Sequence, residues 1–208
     1  LPEDIVLTDD LKAAAEHAKT IVISVDAQGL RELLTKLAVC GVSGKPVVLC
    51  IKGLEQQTGK CLSVVAEETI GDLSRVAVWL GPGHVQDFTA GIPGCMVIDS
   101  VSHKLTRTLC DKFSSRQIRF YYGTDIVGNE VGAAAKNVVG IAAGMLDGLH
   151  MPSLKGALMA RGTREVARLI AAMGGDGLSV YGLCHLGDYE ATLFSPYSHN
   201  RQYGELFI

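Results

Sequence analysis

The sequence predicts an α/β protein, with a largely parallel sheet first and a purely helical part after it. Three observations predict this. Up to about residue 124, short apolar runs alternate with stretches of helical length and charge spacing. Beyond that point strand signals stop and helical patterns follow one another, punctuated by Gly148, Gly174, Gly175 and Gly177. The first of these helices, read over residues 129–149, is apolar nearly throughout, which marks it as buried.

Each element has its own signal. Strands are expected at residues 20–25, 46–51, 75–80, 95–99 and 117–122, all short runs rich in Val, Ile, Leu and aromatic residues. Helices are expected between them at 11–18, 30–38, 59–70, 84–89 and 103–113. The second part is expected to hold helices over 129–149, 153–173 and 188–193, with Ser153 as the N-cap of the middle one. We therefore expect two domains, 1–124 and 125–208, with a cleft between them. In sheets of this kind ligands bind at the carboxyl ends of the strands. Here those ends read Val25-Asp26-Ala27-Gln28, Lys52-Gly53-Leu54-Glu55 and Gly81-Pro82-Gly83-His84.

Composition excludes several functions. The 208 residues suffice for a sizeable core, and 48% hydrophobic with 20% charged is globular. A net charge of −3 without a basic run gives nucleic acid no electrostatic foothold. No apolar stretch is long enough to span a membrane. Leu1-Pro2-Glu3-Asp4 is not a basic signal region, so a cytoplasmic location is expected. The cysteines at 40, 50, 61, 95, 110 and 184 form no CxxC pair and read as reduced structural thiols. No metal site is expected: Cys184-His185 has no further ligand near it in sequence.

Chemistry centres on Lys136, set among Ala133, Ala134, Ala135 and Val138. A buried lysine is costly when charged, so its pKa falls and it can exchange a proton near neutrality. The small neighbours leave room for a ligand. A snorkelling lysine on a core helix is the plainer alternative. Lys52 is open to reading as a solvated turn lysine, Asp188 as a helix N-cap, His84 as a helix cap and His185 as a core or surface histidine, neither histidine with a catalytic role. The pairs Gly128/Gly132 and Gly140/Gly144 read as close helix packing.

The ordered set Lys52-Gly53, Gly81-Pro82, Gly91-x-Pro93, Gly132-Ala-x-x-Lys136-Asn137, Gly187-Asp188, Thr192 and Ser198-x-Asn200-Arg201-x-x-Gly204, with Leu1-Pro2 ahead of it, resembles NAD(P)-dependent glycerol-3-phosphate dehydrogenase of the bacterial type. Each piece is weak alone; their order along the whole chain is specific. The resemblance implies a Rossmann-type domain and an all-helical substrate domain, both incomplete. It implies interconversion of sn-glycerol 3-phosphate and dihydroxyacetone phosphate with NAD or NADP, for phospholipid synthesis. It makes Lys136 the proton donor and acceptor. It places Lys52, Gly81, Lys136, Asn137, Asp188, Thr192, Ser198 and Asn200 against a small phosphorylated substrate. Lys52, Val85 and His199 fall at cofactor positions. A homodimer is compatible with it.

The sequence also departs from the family. Gly83 stands for a serine, Val85 for an alanine, Asp26-Ala27 for Pro-Ser, and His199 for an arginine that meets cofactor and phosphate. Histidine is shorter and only partly charged near neutrality; Arg201 is the nearest compensating group in sequence. No Gly-x-Gly-x-x-Gly follows an N-terminal strand. The family's first βαβ unit and its last fifty or so residues are unmatched, so weak nicotinamide binding is expected. Two further readings stay open: a non-catalytic scaffold, and a dehydrogenase with a changed substrate.

Overall fold

The computed structural model describes residues 4–83, 85–195 and 197–208. The five expected strands form, each trimmed to its hydrogen-bonded centre: β1 Ile21–Ile23, β2 Val47–Leu49, β3 Val76–Leu80, β4 Gly94–Asp99 and β5 Ile118–Tyr122. They make one sheet in chain order, β1-β2-β3-β4-β5. All neighbours are parallel except β3 and β4, which run antiparallel with Trp79 opposite Ile98. Between the strands lie α1 Leu11–His17, α2 Leu30–Ala38, α3 Leu62–Ile70, α4 Val85–Thr89 and α5 His103–Phe113. The expected start of α4, His84, lies outside the described residues, as do Leu1-Pro2 and Pro196.

Alternation along the strands divides the sheet into two apolar faces. Ile23, Val47, Leu49, Val76, Val78 and Leu80 pack with α1, α2 and α3. Val48, Ala77, Ile98 and Phe120 pack on Leu109 and Cys110 of α5. Trp79 meets Phe120 edge-on, with ring centroids 4.7 Å apart. All six cysteines are free thiols.

The helical part contains α6 Ile126–Gly148, α7 Ser153–Ala172, α8 Asp188–Phe194 and α9 His199–Phe207. A 3₁₀ turn, Gly177–Tyr181, and a π-helical turn, Leu183–Gly187, join α7 to α8. Two expectations need correction. Ser153 is the first helical residue of α7, not its N-cap; Pro152 holds the cap position and no side chain caps there. α9 is a helix that the sequence pattern does not announce, because its apolar residues are few and its charged and amide groups read as loop. Ser198 caps it by accepting from Arg201 N.

Glycine sets the crossing of α6 and α9. A Cβ on Gly144 would lie 1.9 Å from the Arg201 carbonyl oxygen, and one on Gly204 would lie 1.9 Å from that of Ile141. The backbones therefore touch, and no larger residue fits at either place. Gly132 and Gly128 serve the same end lower on α6, against His185 and Ser179. Gly144→Ala should force α9 away, at a cost of about 1–3 kcal/mol. Urea unfolding and limited proteolysis near residue 200 would read both effects; unchanged stability with a protected C-terminal helix would refute the contact.

A buried carboxyl also joins the two parts. Glu130 on α6 accepts from the Ser63 amide at 2.9 Å and also bonds the Ser63 hydroxyl, at the first turn of α3. The helix N-terminus favours an anion there, but burial dominates and pushes Glu130 up to about 7. A carboxyl raised in the folded state stabilises fully below its unfolded value and loses that contribution as pH rises through the folded one. Stability from this group should fall from about pH 4.5 to about pH 7. Glu130→Gln, which keeps both Ser63 bonds without the charge, should flatten that part of a pH–urea profile. An unchanged slope would show that Glu130 does not titrate there.

Candidate active site

Two strand ends and two helices converge on one carboxylate. Lys52 follows β2 and Gly81 ends β3, so both stand at the carboxyl edge of the sheet. Lys136 lies in the third turn of α6, and Asp188 is the first residue of α8. Lys136 Nζ donates to Asp188 Oδ1 at 2.8 Å and to Thr192 Oγ1 at 2.7 Å. Lys52 Nζ donates to Asp188 Oδ2 at 2.5 Å and to the Gly81 carbonyl at 3.1 Å. One carboxylate thus holds two ammonium groups, one on each oxygen.

Burial differs between the two lysines. The Lys136 side chain is 9% exposed and Asp188 4%, whereas Lys52 is 28% exposed. Lys136 is not a snorkelling residue. Its burial lowers its pKa to about 8; Asp188 opposes the fall, and the Lys52 ammonium adds to it. The same contacts decide the open alternatives at the other two positions. Lys52 is not a solvated turn lysine, because both its bonds tie it down. The Asp188 side chain binds lysines instead of capping α8.

Other expected residues sit around this centre. Asn137 Oδ1 accepts from Asn200 Nδ2 at 3.0 Å, which links α6 to α9. Thr192 Oγ1 also donates to the Asp188 carbonyl at 2.7 Å, one turn back in α8. Ser198 is buried and spends its hydroxyl capping α9. His199 begins α9 with its side chain exposed. Val85 is also exposed, at the start of α4. Arg201 is not available to replace the family arginine. Its guanidinium bonds Asp147 at 2.7 Å, Glu205 at 3.0 Å and the Ser195 carbonyl at 3.2 Å.

Several buried polar groups have roles that sequence patterns did not suggest. Asn129 and Asp99 bond each other at 2.7 Å, and Asp99 also accepts from Asp125 N at 2.9 Å, which fastens β4 to α6. Asp125 caps α6 and accepts from Ser179. With Glu130 these residues make the first turns of α6 a polar anchor. A signal for them exists: Asn129-Glu130 interrupt an apolar helix just as Lys136-Asn137 do. No cluster of three metal-ligating residues occurs among the described residues, and no helix there is long and apolar enough to cross a membrane.

The strand-end glycines let the chain turn closely at the sheet edge beside Lys52. Gly53 has φ 145° and Gly81 φ 126°, both in the region glycine favours. A Cβ at Gly81 would reach within 3.1 Å of the Met96 backbone. The loops after β1 and β2 are tied by Gln28, which donates to Leu54 O at 3.0 Å and accepts from Gln56 N at 2.8 Å.

Residues 1–106 match the family model described as NAD-dependent glycerol-3-phosphate dehydrogenase N-terminus, and residues 125–208 match that of its C-terminus. The chain belongs to this family. It is 39% identical over 207 residues to glycerol-3-phosphate dehydrogenase [NAD(P)+] from Prosthecochloris aestuarii, and 37% identical over 208 residues to that from Fusobacterium nucleatum. These alignments cover 98% and 99% of the chain. The chain spans 62% of the length of each relative. The crystal structure of glycerol-3-phosphate dehydrogenase from Coxiella burnetii superposes with a TM-score of 0.89 at 28% identity, over 95% of this chain and 61% of that one. The fold is the family's: a mostly parallel Rossmann-type sheet with its helices, followed by a helical part.

Asp188→Asn removes the charge that holds Lys136 protonated. The Lys136 amine should then titrate below its wild-type value of about 8. The pH dependence of its labelling by a small amine reagent, read by peptide mass, measures this. A midpoint that stays in place or rises would break the assignment of Asp188 as its partner.

Proposed function

We propose that this chain carries the reaction centre for interconverting sn-glycerol 3-phosphate and dihydroxyacetone phosphate with NAD or NADP. The single observation that carries this reading is Asp188 shared by Lys136 and Lys52. Residues 1–124 are read as cofactor-binding and 125–208 as substrate-binding. A cytoplasmic location and a homodimer are part of the same reading.

The residues present at the strand ends are compatible with a nicotinamide cofactor: Lys52 offers an ammonium there, and Gly53 and Gly81 turn the chain tightly beside it. When bound, the cofactor supplies or accepts a hydride at the substrate carbon. The chain's own groups then do the rest. As the ketone is reduced, negative charge grows on its oxygen. Lys136 gives that oxygen a proton, and a pKa lowered to about 8 suits a group that must release and recover one near neutrality. The Lys52 ammonium stabilises the same charge before transfer is complete. Asp188 keeps both amines in place, and Thr192 fixes the direction of the Lys136 amine. Asn137 and Asn200, joined side by side, offer amide groups to the substrate hydroxyl and phosphate end. Ser198, through α9, sets where that end lies. Val85 and His199 are read as the rim nearest the cofactor.

A second reading is favoured by one observation. His199 replaces the expected arginine, and Arg201 is committed to Asp147 and Glu205. A fixed fork for phosphate is therefore lacking at this point of α9. On this reading the carbonyl chemistry is kept and the preference for a phosphorylated substrate is relaxed.

The test is nicotinamide oxidation at 340 nm with dihydroxyacetone phosphate, beside unphosphorylated dihydroxyacetone. Lys136→Ala should lower turnover by about 10²-fold or more. A variant as active as the parent would remove Lys136 from the chemistry. Equal kcat/KM for the two ketones would select the second reading.

A further inference from the structure

His185 is a fully buried histidine on the π-helical turn just ahead of Asp188. Its Nδ1 lies 2.9 Å from the Gly132 carbonyl oxygen. A carbonyl can only accept, so Nδ1 carries the proton and Nε2 is left as the lone pair. Nε2 has no partner among the described residues. Burial lowers the pKa of this imidazole and keeps it neutral. The ring is held from the other side by Tyr189 of α8, stacked with centroids 5.2 Å apart and planes at 28°.

The connectivity gives the bond its meaning. Gly132 lies one helical turn before Lys136 on α6. His185 lies three residues before Asp188. Two bonds therefore close a ring between α6 and the turn leading into α8: His185 Nδ1–H to Gly132 O, and Lys136 Nζ to Asp188 Oδ1. A slip of one residue along α6 is about 1.5 Å, enough to break the 2.8 Å lysine–aspartate bond. Gly132 has to be glycine for the ring to come so close, since its Cβ would stand 2.9 Å from His185 Cβ.

We propose that His185 is a positioning residue: as the Nδ1–H tautomer it fixes the register of α6 against Asp188 and so sets the Lys136–Asp188 pair. It touches neither amine. The charged groups that bear on it are Asp188 on α8 and Lys136 on α6. Lys52 shares the same carboxylate from the sheet edge. A neutral His185 spares that carboxylate a third cation.

This inference rests on the proposed role of Lys136, and its test separates the two. In the full chain, His185→Asn keeps a donor near the Nδ1 position, while His185→Phe keeps ring, volume and the Tyr189 stack but has no donor. Two readouts are taken: the pH midpoint of Lys136 labelling by a small amine reagent, and kcat and KM for dihydroxyacetone phosphate. His185→Asn should match the parent in midpoint and stay within about threefold in kcat. His185→Phe should titrate lower, because Asp188 no longer holds the amine, and lose about tenfold or more in kcat with KM little changed. If His185→Phe does not fold, His185→Gln, whose amide falls at the Nε2 position, takes its place. A Phe variant with the parent's midpoint and kcat would overturn the proposal. So would Asn and Phe variants impaired alike and in step with their melting temperatures, which would make His185 a packing residue. A parent chain inactive on this ketone would defeat the functional reading, while the labelling experiment would still decide the role of His185.

Discussion

The carboxylate of Asp188 is the constraint on which the site depends. Two ammonium groups and one carboxylate leave a net charge of +1 in a nearly dry space. Such a group of charges is expensive to bury and persists only when each member is paired. Asp188 is placed to pair both, one lysine per oxygen. The remaining positive charge makes the centre receptive to an anion, whether a phosphate or an oxygen acquiring charge in a reaction. When Lys136 gives up its proton, what remains is the neutral pair Lys52–Asp188. The centre therefore alternates between charged and neutral without ever stranding a buried ion. A lysine pKa near 8 places that alternation within reach of working pH.

Holding Asp188 there requires helices from distant parts of the chain to agree to within a fraction of an ångström. The chain meets this with small residues and buried polar ties. Gly144 and Gly204 let α6 and α9 touch backbone to backbone. Asp99, Asp125 and Asn129 fix the start of α6 to the end of β4. Glu130 fixes the same helix to α3, whose leading loop carries Lys52. The ties at the start of α6 lie within about three turns of Lys136. A purely apolar interface would bury as much surface yet tolerate sliding; directional bonds do not. The polar start of α6 is the frame that makes the lysine's position reproducible.

The fold was legible because periodicity reports burial directly. Every expected strand formed, and α2 and α5 fell on the expected boundaries. The antiparallel β3–β4 pair was not legible, since strand direction leaves no mark in a five-residue apolar run. α9 was missed because it is held by glycine contact and a serine cap instead of an apolar stripe. Within the site, Lys136 announced itself by being charged in an apolar helix. Glu130 carried the same signal and was passed over, since the resemblance supplied a role for one and none for the other. His185 could be read only as a core or surface histidine: its meaning lies in the carbonyl it meets 53 residues away.

The start of α9 shows where resemblance and geometry part. Along the sequence Arg201 looks like a reserve cation for the missing arginine, two residues from His199. In the fold a helix separates their tasks. Residues two apart on a helix point in directions about 200° from each other. Arg201 turns into the α6–α9 interface and meets Asp147, which also holds Lys155 at 2.6 Å. Freeing it would strand that carboxylate with one partner fewer and expose the crossing at Gly144. Its charge is thus spent on the scaffold. What remains at the start of α9 is the exposed His199 and the Asn137–Asn200 amide pair. That set is weaker than a guanidinium fork. Discrimination for a phosphorylated substrate should therefore be smaller than at a site built on arginine.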